Sequence, residues 1–282
     1  MTVDTIAAVA AKKLGKFLAQ DFRDIFGPAH DETAERLGAL ARSAIECIAR
    51  SDALYHNFEH TMLVTIVGRD ILRGRVLSHP IEPEDYTHLI CACLLHDIGF
   101  VRGVLKGDTR DEFVVDQAGT KVTLPRGASD AALMPYHVDR SKLFVMDRLS
   151  EMELLDAARI ARAIEYTRFP SPPGDGSGDN EEGLLVRAAD LIGQLGDPHY
   201  LRKANALYYE FEEVGMNKQL GYTSPADLTD LYPQFYWKSV SPHIQTAIRY
   251  LNVTSSGRQW IANLYSNVFR AERDLSLCGP ER

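Results

Sequence analysis

The sequence predicts an all-α helical bundle carrying one small β-hairpin insertion. Three observations point there. Apolar residues recur at helical spacing through most of the chain, separated by Gly and Pro breaks. Leu89 to Leu95 is apolar on every side, which marks a helix enclosed by others rather than one lying on a surface. Residues 112–125 leave that period for two short β-rich runs about Gln117, Ala118 and Gly119, a hairpin pattern. With 282 residues, 45% of them hydrophobic, the chain has enough apolar side chain for a substantial core.

Taken in order, residues 4–25 and 32–50 read as two N-terminal helices, and 51–76 as a helix carrying His56 and His60. Residues 85–97 form the enclosed helix, with Gly99 as its stop signal. The hairpin follows. Ser150 and Glu153 make a capping-box pattern ahead of a helix through Tyr166. Residues 170–180, rich in Pro, Gly, Ser and Asp, read as a loop, which with the hairpin is a candidate cover for a cleft. Helices then fit 181–195, 199–215, 225–240 and 241–270, with breaks near Pro225, Pro233 and Pro242. No internal repeat is evident.

Five residues carry the chemistry: His56, His60, His96, Asp97 and Asp190. Within a helix His56 and His60, four apart, share one face, so both rings can point into one cleft, and only one need be a ligand. His96 and Asp97 end the enclosed helix. Asp190 sits between Ala188-Ala189 and Leu191-Ile192, where a carboxylate is costly unless it is paired or holds a cation. Imidazoles and carboxylates in this combination suit Zn, Fe, Mn or Mg, and the ligand types do not choose among them.

A histidine, a His-Asp pair and a distant Asp in this order resemble the HD-domain metal-dependent phosphohydrolases. The fuller pattern of Tyr55, His56, Asn57 and His60 resembles their cyclic-nucleotide phosphodiesterase branch. The resemblance covers about residues 50–200 and implies one HD-type domain over 1–282, with the N-terminal helices 1–50 and C-terminal helices 200–275 packed around the HD core. It implies that His60, His96, Asp97 and Asp190 hold a first metal, that Asp97 also reaches a second, mostly water-coordinated metal, and that His56 is a general acid. Two departures stand beside it. Phe100 occupies the place of a histidine three residues past the pair, without the Pro-Gly that follows there, and no purine-clamping glutamine matches. Only His137 lies between the pair and Asp190, too few histidines for the di-iron and cyclic-di-GMP branches.

The reaction expected is hydrolysis of a phosphodiester by metal-activated water, with an HD-type nucleotidase or phosphomonoesterase as one alternative and a non-catalytic nucleotide-sensing domain as another. Substrate contacts are expected from Asn57, Arg102, His137, Arg140 and Lys142, because arginine forks and lysine suit phosphate. Glu165 is expected to orient water at the metals. Tyr232, Phe235, Tyr236 and Trp237, at helical spacing, belong to the core or stack on a base. A net charge of −8 excludes wrapping of long nucleic acid but not a small phosphorylated partner such as a nucleotide. Cys47, Cys91, Cys93 and Cys278 lack zinc-type spacing and read as thiols of a reducing compartment. No stretch approaches the roughly 18 apolar residues of a membrane span, so a cytoplasmic location is expected.

Overall fold

In the computed structural model, residues 5–152, 155–170 and 180–277 are described. The interior of the loop expected at 170–180, together with Glu153 and Cys278, lies outside them. Thr5 caps α1 (Ile6–Phe26), which ends at Gly27 and packs on α2 (Asp31–Ile48) after a single 3₁₀ turn. The buried Arg69 is paired with both Asp21 and Asp70, and the Tyr86 hydroxyl donates to Asp21 at 2.7 Å, so this N-terminal pair is tied to the helices behind it. A polar link this deep is tolerated because every charge in it is met.

Those next helices form the centre. α3 (Phe58–Val76) and α4 (Pro83–Leu95) lie in the same core, and Tyr86 through Leu95 is buried without interruption, as the all-round apolar pattern predicts. Helix α3 starts later than expected. Asn57 is its N-cap, accepting from Glu59 N at 2.9 Å, so His56 stands in the turn before the helix and does not share a helical face with His60.

After a 3₁₀ turn at Ile98–Phe100 come β1 (Glu112–Val114) and β2 (Lys121–Thr123), antiparallel with Phe113 opposite Val122. A 3₁₀ stretch, Asp130–Tyr136, then leads into α5 (His137–Leu149), a helix outside the sequence expectation. Glu153 of the expected capping box lies outside the described residues; Ser150 closes α5, and α6 (Ala157–Glu165) starts from Asp156, whose side chain accepts from Arg159 N. His88 Nε2 accepts from the Asp156 backbone N–H at 2.7 Å and fixes α6 against α4.

The remaining helices are α7 (Glu181–Leu195), α8 (Tyr200–Glu213), α9 (Met216–Leu220), α10 (Pro225–Asp230), α11 (Tyr232–Phe235), α12 (Ser241–Leu251) and α13 (Ser255–Leu277), with a π turn at Tyr236–Val240. The spans expected at 225–240 and 241–270 are therefore each divided. Tyr232 and Tyr236 are buried in the core, while Trp237 is half-exposed and donates to Glu272. One core cluster joins residues from α1 through α13. Among the described residues, no helix is long and apolar enough to cross a membrane.

Candidate metal centre

Three central elements converge at one end of the core. His60 comes from the first turn of α3, His96 and Asp97 from the end of α4, and Asp190 from the middle of α7. Ligand atoms of His60, His96 and Asp97 all lie within 4.8 Å of one another, and all three side chains are buried. Asp190 Oδ1 stands 3.2 Å from His60 Nε2 and 3.7 Å from His96 Nε2. Gly193 explains how α7 comes so close: a Cβ there would lie 2.9 Å from the backbone of Val64, four residues along α3 from His60.

The donor set fits a divalent cation. His96 Nδ1 is 2.9 Å from the Cys93 carbonyl, which can only accept, so in the neutral ring the proton is on Nδ1 and Nε2 offers a lone pair. That Nε2 faces Asp97 Oδ2 at 3.1 Å, yet neither atom has a hydrogen-bond partner, although both are buried. Two acceptors pressed together in a buried site are costly unless a positive charge lies between them. With no cation between them the pair shares a proton instead: burial works against a charged His96, but Asp97, with Asp190 beyond it, raises the imidazole to about 9, and the charged rings of His96, then His56 and His60, hold the Asp97 carboxyl well below the ordinary carboxylate range although burial alone would raise it.

His56 is placed differently. Its Nδ1 lies 2.5 Å from Glu210 Oε2, and Glu210 Oε1 accepts from the backbone N–H groups of Tyr55 at 2.6 Å and His56 at 3.2 Å. Glu210 comes from α8, is itself buried, and escapes sequence reasoning because it lies 154 residues from its partner. Burial works against a charged His56, but the Glu210 carboxylate, with Asp97 and Asp190 beyond it, raises the imidazole to about 9. The Tyr55 ring anchors the turn among Ala204, Leu207, Tyr208 and Leu228.

Asp97, Asp190, His56 and His137 line a cavity of about 450 Å³, within the roughly 300–1,000 Å³ of small-molecule sites. Leu207, Phe211, Met216, Tyr222 and Leu228 contribute apolar lining, and Arg168, Arg187, Lys238 and His243 add positive or titratable groups to it. Among the described residues, His137 is the one expected substrate contact that lines it. Arg102 is bound to Asp130 at 2.5 Å and to the Ala128 carbonyl at 2.6 Å. Arg140 is fully buried and donates to Asp108 and to the carbonyls of Gly99, Val101 and Val114, a structural clamp instead of a substrate fork. Lys142 pairs with Glu165 at 2.5 Å and Asp139 at 3.1 Å, and Glu165, also held by Arg168, does not line the cavity. Asn57 is engaged as a helix cap, its amide donating to the Leu54 carbonyl.

Gly99 has a role other than ending a helix. A Cβ there would meet the His137 carbonyl at 2.0 Å, so its bareness lets the start of α5 lie against the turn that bears Asp97. Ser141 completes the join, its Oγ donating to the His96 carbonyl at 2.6 Å and accepting from Gly99 N at 2.9 Å.

Over residues 6–274, from the start of α1 into α13, the chain matches the Npun_R2479-like family and belongs to it. No curated protein matches the chain.

Proposed function

We propose that this member of the Npun_R2479-like family is an HD-type metal-dependent phosphohydrolase, acting on a small phosphodiester with His56 as the general acid. The observation that carries the reading is that Asp97 and Asp190, the carboxylates of the cluster, share one cavity lining with an imidazole held charged by a buried glutamate. His60, His96, Asp97 and Asp190 would hold the cation. When bound, a divalent cation supplies Lewis acidity, lowering the pKa of water toward neutrality and drawing charge from phosphoryl oxygens.

The chain's own groups do the rest. Glu210 keeps the His56 proton on Nδ1 engaged and favours the imidazolium, so Nε2–H is available to a departing alkoxide. Phe100 stacks on His56 with ring centroids 4.9 Å apart and a 13° angle between planes, fixing the direction of that donor. The apolar lining of the cavity receives an aromatic or apolar substituent of the ester and excludes water around it. A second reading, a nucleotidase acting on phosphomonoesters, is favoured by Lys238 in the same lining, which suits a further anionic group.

The test is turnover of a panel of cyclic and linear diesters, monoesters and nucleotides, each with Mn, Mg, Zn or Fe. His56→Ala is expected to keep its metal and lose about 100- to 10,000-fold in turnover on alkyl esters, with far less loss on p-nitrophenyl esters, whose leaving group departs unprotonated. Equal losses on both would remove the acid role, and inactivity on the whole panel would remove the phosphohydrolase reading.

A further inference from the structure

A second cavity, of about 710 Å³, lies among α2, α4, α5 and the segment after α5, and shares no lining residue with the cavity beside the metal centre. Its size is that of a small-molecule site. The buried part of its lining is apolar: Leu37 of α2, Cys91 and Leu95 of α4 and Leu149 of α5 are each no more than 3% exposed. Leu40 and Phe144, half-buried, extend it toward solvent. The buried hydroxyl of Thr87 is committed to its own helix, donating to the Pro83 carbonyl at 2.7 Å, and burial pushes the Cys91 thiol up to about 12, so it stays uncharged. The interior therefore offers an occupant neither a charge nor an uncommitted hydroxyl proton.

The exposed part of the lining carries charge of one sign. Among the described residues its charged members are Arg36 and Arg148, with no carboxylate, in a chain whose net charge is −8. Arg36 pairs with Glu32, and Arg148 Nε is 3.5 Å from Asp147, but both arginine side chains are more than half exposed, where such pairs are weak. A guanidinium has five donors, and one contact leaves a fork for a further carboxylate. Apart from Met152, the large apolar side chains of the lining are buried or half-buried, so the apolar surface lies within the cavity instead of on a flat face. A flexible hydrocarbon tail reaches such a surface; the face of a second copy does not. We infer that this cavity binds one long-chain carboxylic acid, its tail along Leu37, Cys91 and Leu95 and its carboxylate at Arg36 and Arg148.

Chelated full-length protein, in which no metal can hold a carboxylate, provides the test. Calorimetric titration with octanoate, decanoate and dodecanoate below their micelle concentrations is expected to show one carboxylate per chain, tightening about fourfold for each added methylene. Dodecyltrimethylammonium, with the same tail as dodecanoate and the opposite charge, is expected to bind about 10-fold more weakly. Leu40→Trp, shown to be folded by circular dichroism, is expected to fill the cavity and lose dodecanoate. Arg148→Glu, at an exposed position, is expected to weaken it about 5-fold. No carboxylate bound by wild type, equal affinity for the cationic amphiphile, or dodecanoate bound unchanged by Arg148→Glu or by folded Leu40→Trp would overturn the inference. So would a wild-type dimer in sedimentation that Leu40→Glu dissociates, since a second copy would then cover the cavity.

Discussion

His56 and Glu210 state the chemistry of this site at its smallest scale. An imidazole acts as an acid only while protonated, and the carboxylate 2.5 Å away keeps it so beyond the pH at which a free histidine loses its charge. The folded-state pKa is raised, from 6.5 to about 9, so the pair's stabilisation is fully present below the lower value and is lost as pH rises through the higher one. Glu210→Gln is therefore expected to move the alkaline fall of activity down from near 9 toward 6.5. Between those limits the variant should lose activity that wild type keeps, while near the acid end the two should converge. A pH profile of kcat whose alkaline limb does not move would show that Glu210 only positions the turn. The five candidate residues were legible in the sequence because each belongs to a local pattern: a His spacing, a dipeptide, a carboxylate among alanines. Glu210 was not, since nothing local distinguishes it from the acidic residues beside it, Glu212 and Glu213. Only the fold of α8 against the turn before α3 gives it a partner.

At the scale of elements, the central helices were readable and their junctions were not. The uninterrupted apolar run of α4 and the span of α7 follow directly from composition, and the hairpin follows from its alternation around Gly119. Helix α5 is obscured because its inward stripe, Val138, Ser141, Val145 and Leu149, contains a hydroxyl, and its largest buried side chain is Arg140. A pattern search takes both as outward-facing. The structure turns them into struts: Arg140 and Asp108 are each fully buried and meet at 3.0 Å, while the remaining guanidinium donors satisfy carbonyls of the turn and of β1. Breaking a buried pair leaves a charge uncompensated, which typically costs about 3–5 kcal/mol. Arg140→Met is accordingly expected to lower the free energy of unfolding by about that amount, read from the denaturant midpoint, with the greatest loss of amide-exchange protection in β1, β2 and the start of α5. A substrate-binding arginine would instead raise KM and leave the midpoint nearly unchanged, so the two measurements separate the roles.

Across the whole molecule, the candidate centre lies where helices far apart in the chain meet. α3 brings His60, α4 brings His96 and Asp97, and α7 brings Asp190, while Asn267 of α13 donates at 2.8 Å to the carbonyls of both Leu195 and Asp197, tying the C-terminal helix to the end of α7. In the unfolded chain these ligands are scattered over 131 positions, from His60 to Asp190, and have no common geometry. A cation that binds the folded cluster and not the open chain must therefore stabilise the fold, by about 2.7 kcal/mol at a free concentration one hundred times its Kd. For domains of this general size about 1 kcal/mol corresponds to a shift of roughly 2–4 °C in Tm. Chelation followed by dialysis is expected to lower Tm by several degrees, and Mn²⁺ or Zn²⁺ to restore it in proportion to the logarithm of its concentration. Asp97→Ala, which removes the one carboxylate facing His60, His96 and His137, should abolish that dependence even if its own Tm differs from wild type. A melting temperature indifferent to chelation and to added metal in wild type would mean that the buried imidazoles and carboxylates satisfy one another by shared protons alone, and that the cluster is a polar core rather than a metal centre.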